Sequence, residues 1–219
     1  MKVISIAAAL IALAAAPSMA QTERGYVSGA GGFEVSPDTT SGNVLGEVGA
    51  RVAPHLMVFG DLGRFRNLQP SDVQPQIDST TATLSGSGLN VIGSGRVPAT
   101  YAVGGLRFDA PTKSLVSPYV LGGIGFARLS PAATFTYSSG TLPDGSTPVV
   151  GDDVTSQLET AGAFTVPVAS NAFMFTLGGG VQIPVARHWA VDAGYRYSRI
   201  QADTPLNAQG ATFGFGYRF

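Results

Sequence analysis

Apolar and polar residues alternate along most of this 219-residue chain. A repeat of two marks extended strands, because successive side chains point to opposite faces. The last eleven residues show it most plainly. From Gln209 to Phe219, the residues Ala211, Phe213, Phe215, Tyr217 and Phe219 take every second place, and Thr212, Gly214, Gly216 and Arg218 fill the gaps. The same alternation predicts strands at Gly25–Val35, Asn43–Val52, His55 to about Phe65, Ala172–Ile183 and His188–Arg199. Two more, Ala99–Phe108 and Ser117–Arg128, complete a set of eight, but Tyr101, Arg107, Val120, Phe126 and Arg128 fit no single parity, so their faces stay unassigned.

Where the parity is clean, the charges obey it. Glu47, Arg51, Asp61, Asp192, Arg196 and Arg218 all stand opposite the apolar residues of their own strands. The connections follow a second pattern. Ala53-Pro54, Asp109 to Lys113 and Pro184 to Arg187 give short turns after strands two, four and six. Longer segments follow strands one, three, five and seven: turn chemistry from Pro37 to Gly42, long polar stretches over 66–97 and 130–170, and a modest loop from Gln201 to Ala208. An antiparallel meander built this way collects short turns at one rim and long loops at the other.

Composition narrows the class. Charged residues make up 12% of the chain, about half the globular norm, while glycine is abundant at 29 residues. The uncharged stretch from Thr160 to Ala186 contains Pro167, Pro184 and Gly178-Gly179-Gly180, so it reads as loop and then strand rather than as a membrane helix. The glycine triplet suits a strand that needs curvature and room in the lumen. Met1 to Ala20 has a basic start at Lys2, an apolar run over Val3 to Ala16, and small residues at Ser18 and Ala20. That is a signal peptide, with cleavage expected after Ala20 and residues 21–219 left as one domain. Export without any cysteine leaves no disulfide framework, so stability must come from a closed backbone network or a large core. Loss of Lys2 leaves 12 basic against 14 acidic residues, with no basic surface for nucleic acid.

These features together predict an all-β chain, an eight-stranded antiparallel up-and-down transmembrane β-barrel with short periplasmic turns and long extracellular loops. In hydrocarbon every backbone N–H and C=O must be paired within the protein, and strands achieve this only by closing into a barrel. Aromatic and aliphatic faces then turn to lipid, Trp189, Tyr195, Tyr197, Tyr217 and Phe219 fall towards strand ends, and the charges face inward. A soluble lipocalin-like barrel has no reason to segregate its loop lengths so cleanly.

The signal peptide, the strand count, the loop alternation and the terminal Phe213-x-Phe215-x-Tyr217-x-Phe219 pattern resemble the small eight-stranded outer-membrane barrels of the outer membrane protein A and X type. The resemblance spans the whole mature chain. It implies residence in the cell outer membrane, contact with outer-membrane lipid and lipopolysaccharide, and recognition by the outer-membrane assembly machinery through Phe213, Phe215, Tyr217 and Phe219. Unlike the A-type proteins, this sequence ends at the barrel, so no peptidoglycan-binding domain is inferred.

The interior of an eight-stranded barrel is just wide enough for side chains to fill it. Glu47, Arg51, Asp61, Asp192, Arg196 and Arg218 are expected to meet there as a lumen charge network that plugs the barrel. A structural or adhesin-like monomer is the first functional reading, and a narrow ion-conducting porin-like channel is the alternative. An outer-membrane lipid-modifying enzyme is a second alternative, weakened because His55 and His188 both follow short turns, away from the rim where such enzymes place a histidine beside a serine or carboxylate. No catalytic, metal-binding or cofactor-binding residue is assigned. In the long loops, Ala133–Tyr137, Ala163–Val168, Thr80–Leu84 and Leu89–Ile92 suggest hairpins that prolong the barrel strands as a protruding sheet whose edge meets a surface partner. Mobile solvated loops are the bland alternative. Asp144, Asp152 and Asp153 are candidates to share a divalent cation with lipopolysaccharide, although a solvated acidic loop is the simpler reading.

Overall fold

The computed structural model describes residues 24–36, 39–68, 71, 73–111, 116–165, 167–202 and 204–219. The signal peptide at 1–20, its cleavage point, and the turn residues Pro37, Asp38, Thr112 and Lys113 lie outside the described residues. Ten strands run in chain order: β1 (Gly25–Val35), β2 (Thr40–Ala53), β3 (Leu56–Phe65), β4 (Asn90–Arg96), β5 (Ala99–Asp109), β6 (Ser117–Leu129), β7 (Ala132–Ser139), β8 (Ser170–Pro184), β9 (Trp189–Gln201) and β10 (Leu206–Arg218). Helices α1 (Gln74–Gly86) and α2 (Thr155–Thr160) lie in the two long connections. Neither is long and apolar enough to cross a membrane.

Eight of the strands close on themselves in the order β1-β10-β9-β8-β6-β5-β3-β2, all pairs antiparallel. These are the eight strands expected from the alternation. Closure pairs the first strand with the last, Tyr26 opposite Arg218 and Val35 opposite Gln209, so no sheet edge is left in the barrel. A ladder row followed from Asp109 passes Tyr119, Gly180, Gly194, Thr212, Gly32, Asn43 and Phe65 and returns to the same strand at Ala99. That ten-residue stagger means the strands are tilted, as closure of eight strands demands, by roughly 35–45°.

The two faces separate by chemistry. Val44, Leu62, Leu106, Val120, Ile124, Phe126, Leu177, Phe213 and Phe215 are exposed on the outer wall, whereas Glu47, Asp61, Arg107, Thr176, Arg196, Ser198 and Thr212 are buried inside. An apolar exterior around a polar interior inverts the arrangement of a soluble barrel and suits hydrocarbon surroundings. The two strands left unassigned by sequence have clean parities after all. Tyr101 and Arg107 point inward together, while Val120, Phe126 and Arg128 point outward together. Their mixed chemistry has two causes: a large aromatic residue helps fill the lumen, and Arg128 sits in the next-to-last place of β6, at the rim of the apolar wall.

One pair of strands in the long connections prolongs the barrel. β4 and β7 form a two-stranded antiparallel sheet of their own, with Ile92 opposite Thr136 and Gly93 opposite Phe135. It continues the β5–β6 register beyond the mouth: Arg96 faces Ala132, Ser130 N donates to Pro98 O at 2.9 Å, and Ala99 faces Leu129. The segments Leu89–Ile92 and Ala133–Tyr137 thus contribute to a sheet as expected, but Thr80–Leu84 belongs to α1, and the described residues of Ala163–Val168 form no strand. The outer edge of β7 is also covered. Tyr137 N donates to Asp152 O at 2.8 Å, Gly151 N to Tyr137 O at 2.9 Å and Val154 N to Phe135 O at 2.9 Å. An edge satisfied in this way is closed to strand addition on that side.

Candidate functional site

Arg196 on β9 is the centre of the lumen. Its Nη1 donates to Asp61 Oδ2 at 2.6 Å and its Nη2 donates to Glu47 Oε2, joining β9 to β2 and β3 across the barrel. All three residues are buried. Two carboxylates held by one guanidinium leave an excess of negative charge, and a second arginine offsets it. Arg107 Nη1 lies 3.8 Å from Glu47 Oε1, its Nε donates to Asp109 Oδ1 at 2.8 Å, and its Nη2 donates to Gln182 Oε1 at 3.2 Å. The guanidinium carbon of Arg107 lies 3.7 Å from the ring centre of Tyr119 and 5.0 Å from that of Tyr26, so aromatic faces shield its cation. The Tyr26 hydroxyl donates to Glu47 Oε1.

Of the six charges expected to meet in the lumen, Glu47, Asp61 and Arg196 form this core. Arg51 stands at the short-turn end, 4.0 Å from Asp109. Asp192 is in no salt bridge among the described residues and accepts a hydrogen bond from the Tyr119 hydroxyl at 2.8 Å. Arg218 lines a mouth cavity of about 220 Å³ at the short-turn rim together with Arg51, His55, Asp109 and Gln182. The expected single network is therefore a chain of linked groups running from mouth to centre.

Sequence reasoning missed Arg107, Asp109, Glu34 and the lumen tyrosines. Glu34 is buried towards the long-loop end, where Asn43 Nδ2 donates to its Oε1 at 3.1 Å. A signal for the tyrosines was present in the glycines. A side-chain carbon added at Gly49 would lie 2.2 Å from the Tyr26 ring, one at Gly63 would lie 2.4 Å from Tyr101, and one at Gly180 would lie 2.7 Å from the Tyr119 hydroxyl. Each tyrosine occupies space that a neighbouring strand glycine vacates. The Gly178-Gly179-Gly180 triplet thus supplies lumen room in a specific place.

Above this polar zone the lumen turns apolar and continues into the cap. Phe65 stacks on Tyr101 with ring centres 4.8 Å apart. One buried cluster joins these two rings to Leu68, Ile77 and Leu84, to Val91 and Phe135 of the small sheet, and to Leu158 and Phe164. Phe135, Ile77 and Leu158 are fully buried. Residues over a barrel mouth bury side chains this completely only when they pack as a folded unit. The close fit of helix on sheet depends on Gly93 and Gly95, where a side-chain carbon would lie 2.2 Å from Ile77 and 2.5 Å from Val73.

The loop acids are spent on local turns. Asp144 Oδ1 accepts from Ser146 N and Oγ, Asp152 Oδ2 from Val149 N, and Asp153 Oδ1 from Thr155 N and Oγ1. Hydrogen bonds from the Ser146 and Thr155 hydroxyls hold the Asp144 and Asp153 carboxyls below the usual aspartate range. Among the described residues, no group of three histidine, cysteine or acidic side chains is gathered as for a metal ion. His55 occupies the β2–β3 turn with φ of 63°, and the ring of His188 lies 5.6 Å from that of Tyr217. Both histidines sit at the short-turn rim.

Residues 6–219 match the family described as the outer membrane protein beta-barrel domain. No curated protein matches the sequence. Among solved structures, Neisserial surface protein A superposes with a TM-score of 0.55 at 16% identity, covering 89% of this chain and 97% of that one. The N-terminal β-barrel domain of Pseudomonas aeruginosa OprF gives 0.51 at 10% identity, covering 91% and 100%. A major outer membrane protein from Thermus thermophilus gives 0.51 at 13% identity, also covering 91% and 100%. Identities this low establish a shared fold.

Proposed function

Because the chain belongs to the outer membrane protein beta-barrel domain family, we propose that it is a sealed outer-membrane barrel that holds a folded cap at the cell surface, with a structural or surface-interaction role. The observation that carries this reading is the single apolar cluster from Phe65 and Tyr101 in the lumen to Ile77, Phe135 and Leu158 in the cap. Together with the Arg196 and Arg107 ion pairs beneath it, that cluster fills the path an ion would take. A gated pore would need both layers to open.

In this reading residues 1–20 direct export and are removed after Ala20, the short turns face the periplasm, and the chain acts as a monomer. The cap would meet its partner through a preformed surface, on which Ile92, Val149 and Val150 are 66%, 72% and 71% exposed. Phe213, Phe215, Tyr217 and Phe219 would serve the assembly machinery. Before closure the terminal strand is an unpaired edge, and in the closed barrel Phe219 N donates to Gly25 O at 3.0 Å while Phe219 O accepts from Gly25 N at 3.0 Å. Catalysis forms no part of the reading.

Protease treatment of intact cells tests display and assembly together. The full chain is expected at the surface, cut slowly if at all within 130–165, because those residues pack as a folded cap. A chain ending at Arg218 is expected to be retained in the periplasm. Rapid cleavage throughout 130–165 would contradict the cap, and undiminished display of the truncated chain would contradict the assembly role of Phe219.

A further inference from the structure

Every acidic residue in the barrel strands faces inward: Glu34, Glu47 and Asp61 are buried, and Asp109 and Asp192 share the inward parity. The charged residues that face outward from those strands are Arg64, Arg128 and Arg199, and they are all basic. Their placement is also one-sided. Arg64 is next to last in β3, Arg128 next to last in β6 and Arg199 two from the end of β9, so all three lie at the long-loop end of the wall. The opposite end carries aromatic rings instead, with Trp189 stacked on Phe215 at 4.8 Å and in edge contact with Tyr217 at 5.1 Å.

The register sharpens this placement. Arg64, Thr100, Arg128 and Asn171 form one ladder row across β3, β5, β6 and β8, and all four are exposed. The outward row just below it is Leu62, Ala102, Phe126 and Phe173, with Leu62 60% and Phe126 67% exposed. Arg64 and Arg128 therefore border the apolar wall, two strand spacings or about 10 Å apart. None of the three arginines takes part in a salt bridge among the described residues. Guanidinium groups pair with phosphate oxygens in bidentate geometry, and the border of a hydrocarbon layer is the depth at which lipid phosphates lie.

We infer that Arg64, Arg128 and Arg199 form a basic crown that binds the phosphates of lipid headgroups in the leaflet around the long-loop rim, with Thr100 and Asn171 completing the row between the strands. The inference rests on the membrane-spanning reading and adds a ligand class and a site to it. A charge near such a surface changes affinity by about fivefold for each arginine. Losing all three weakens binding by up to about a hundredfold at low salt.

Native mass spectrometry of the full chain refolded in neutral detergent tests the crown, with diphosphorylated lipid A as the titrated probe. The wild type is expected to bind it, and the R64Q/R128Q/R199Q variant to bind it at least tenfold more weakly. The corresponding triple lysine variant should keep most of the affinity, a rescue that a purely packing role would not give. Lipid A stripped of its phosphates should bind the wild type no better than diphosphorylated lipid A binds the glutamine variant. Equal binding by wild type and glutamine variant would overturn the proposal, as would equal binding of the stripped lipid. Full displacement of the lipid by millimolar inorganic phosphate would assign the crown to free phosphate instead. Heat-modifiable gel migration of each chain checks barrel closure separately, so a wild type that never closes refutes the membrane reading and not the crown.

Discussion

Replacing Arg196 with alanine is expected to destabilise the folded barrel by about 3–5 kcal/mol, the cost of breaking a buried ion pair from one side. Arg196 bridges Glu47 and Asp61 inside a lumen where all three side chains are at most 8% exposed. Without it, Arg107, at 3.8 Å from Glu47, is the nearest remaining cation of this cluster. Asp61 has no second ion pair among the described residues. Urea unfolding of the variant in lipid vesicles gives the measurement. A triple variant in which Glu47→Gln and Asp61→Asn accompany the change should recover much of the loss, because no buried charge is then abandoned. A loss below about 1 kcal/mol for Arg196→Ala would mean that water reaches these groups and solvates them.

A second large effect is expected on the outer wall. Phe213→Arg should cost about 2–4 kcal/mol, because the residue is 60% exposed on a face that meets hydrocarbon, near the middle of β10 and away from both rims. Phe213→Leu should cost less than about 1.5 kcal/mol, since it keeps the surface apolar. Similar stability for the arginine and leucine variants in vesicles would show that this face does not lie in lipid.

The barrel was legible from sequence through its alternation, which placed Phe213, Phe215 and Tyr217 on one face and Thr212 and Gly214 on the other. The connections separate the rims less cleanly than expected: 36–39 and 202–205, read as longer, are no longer than 185–188 and are shorter than 110–116, both read as short. Alternation failed at Tyr101 and Arg107 for a physical reason. It sorts residues by polarity, whereas a narrow lumen sorts them by volume as well, and a tyrosine whose ring lies over Gly63 fills space while reading as an outward residue. Arg128 misled in the opposite sense, since a rim position on the outer wall tolerates the charge that its middle would not.

The cap was less legible. α1 buries Ile77 and Leu84, seven residues apart, among serines and threonines of modest helix propensity, so its sequence carries almost no helical period. α2 is six residues long, with Leu158 as its buried side chain. Both helices form because the small sheet and the barrel mouth give those few apolar residues somewhere to pack, which is information held in contacts distant along the chain. The small spacing of Gly93 and Gly95 in β4 was the one local trace of that packing. In the lumen, Glu47, Asp61 and Arg196 could be placed inside by parity, but only the ladder register brings β9 opposite β2 and β3 closely enough to pair them.

On the proposed function the lumen is sealed twice, by buried ion pairs and by an apolar cap. Planar-bilayer recording of the purified full chain tests it most directly: an electrically silent membrane is the expected result, and discrete ohmic steps would contradict it.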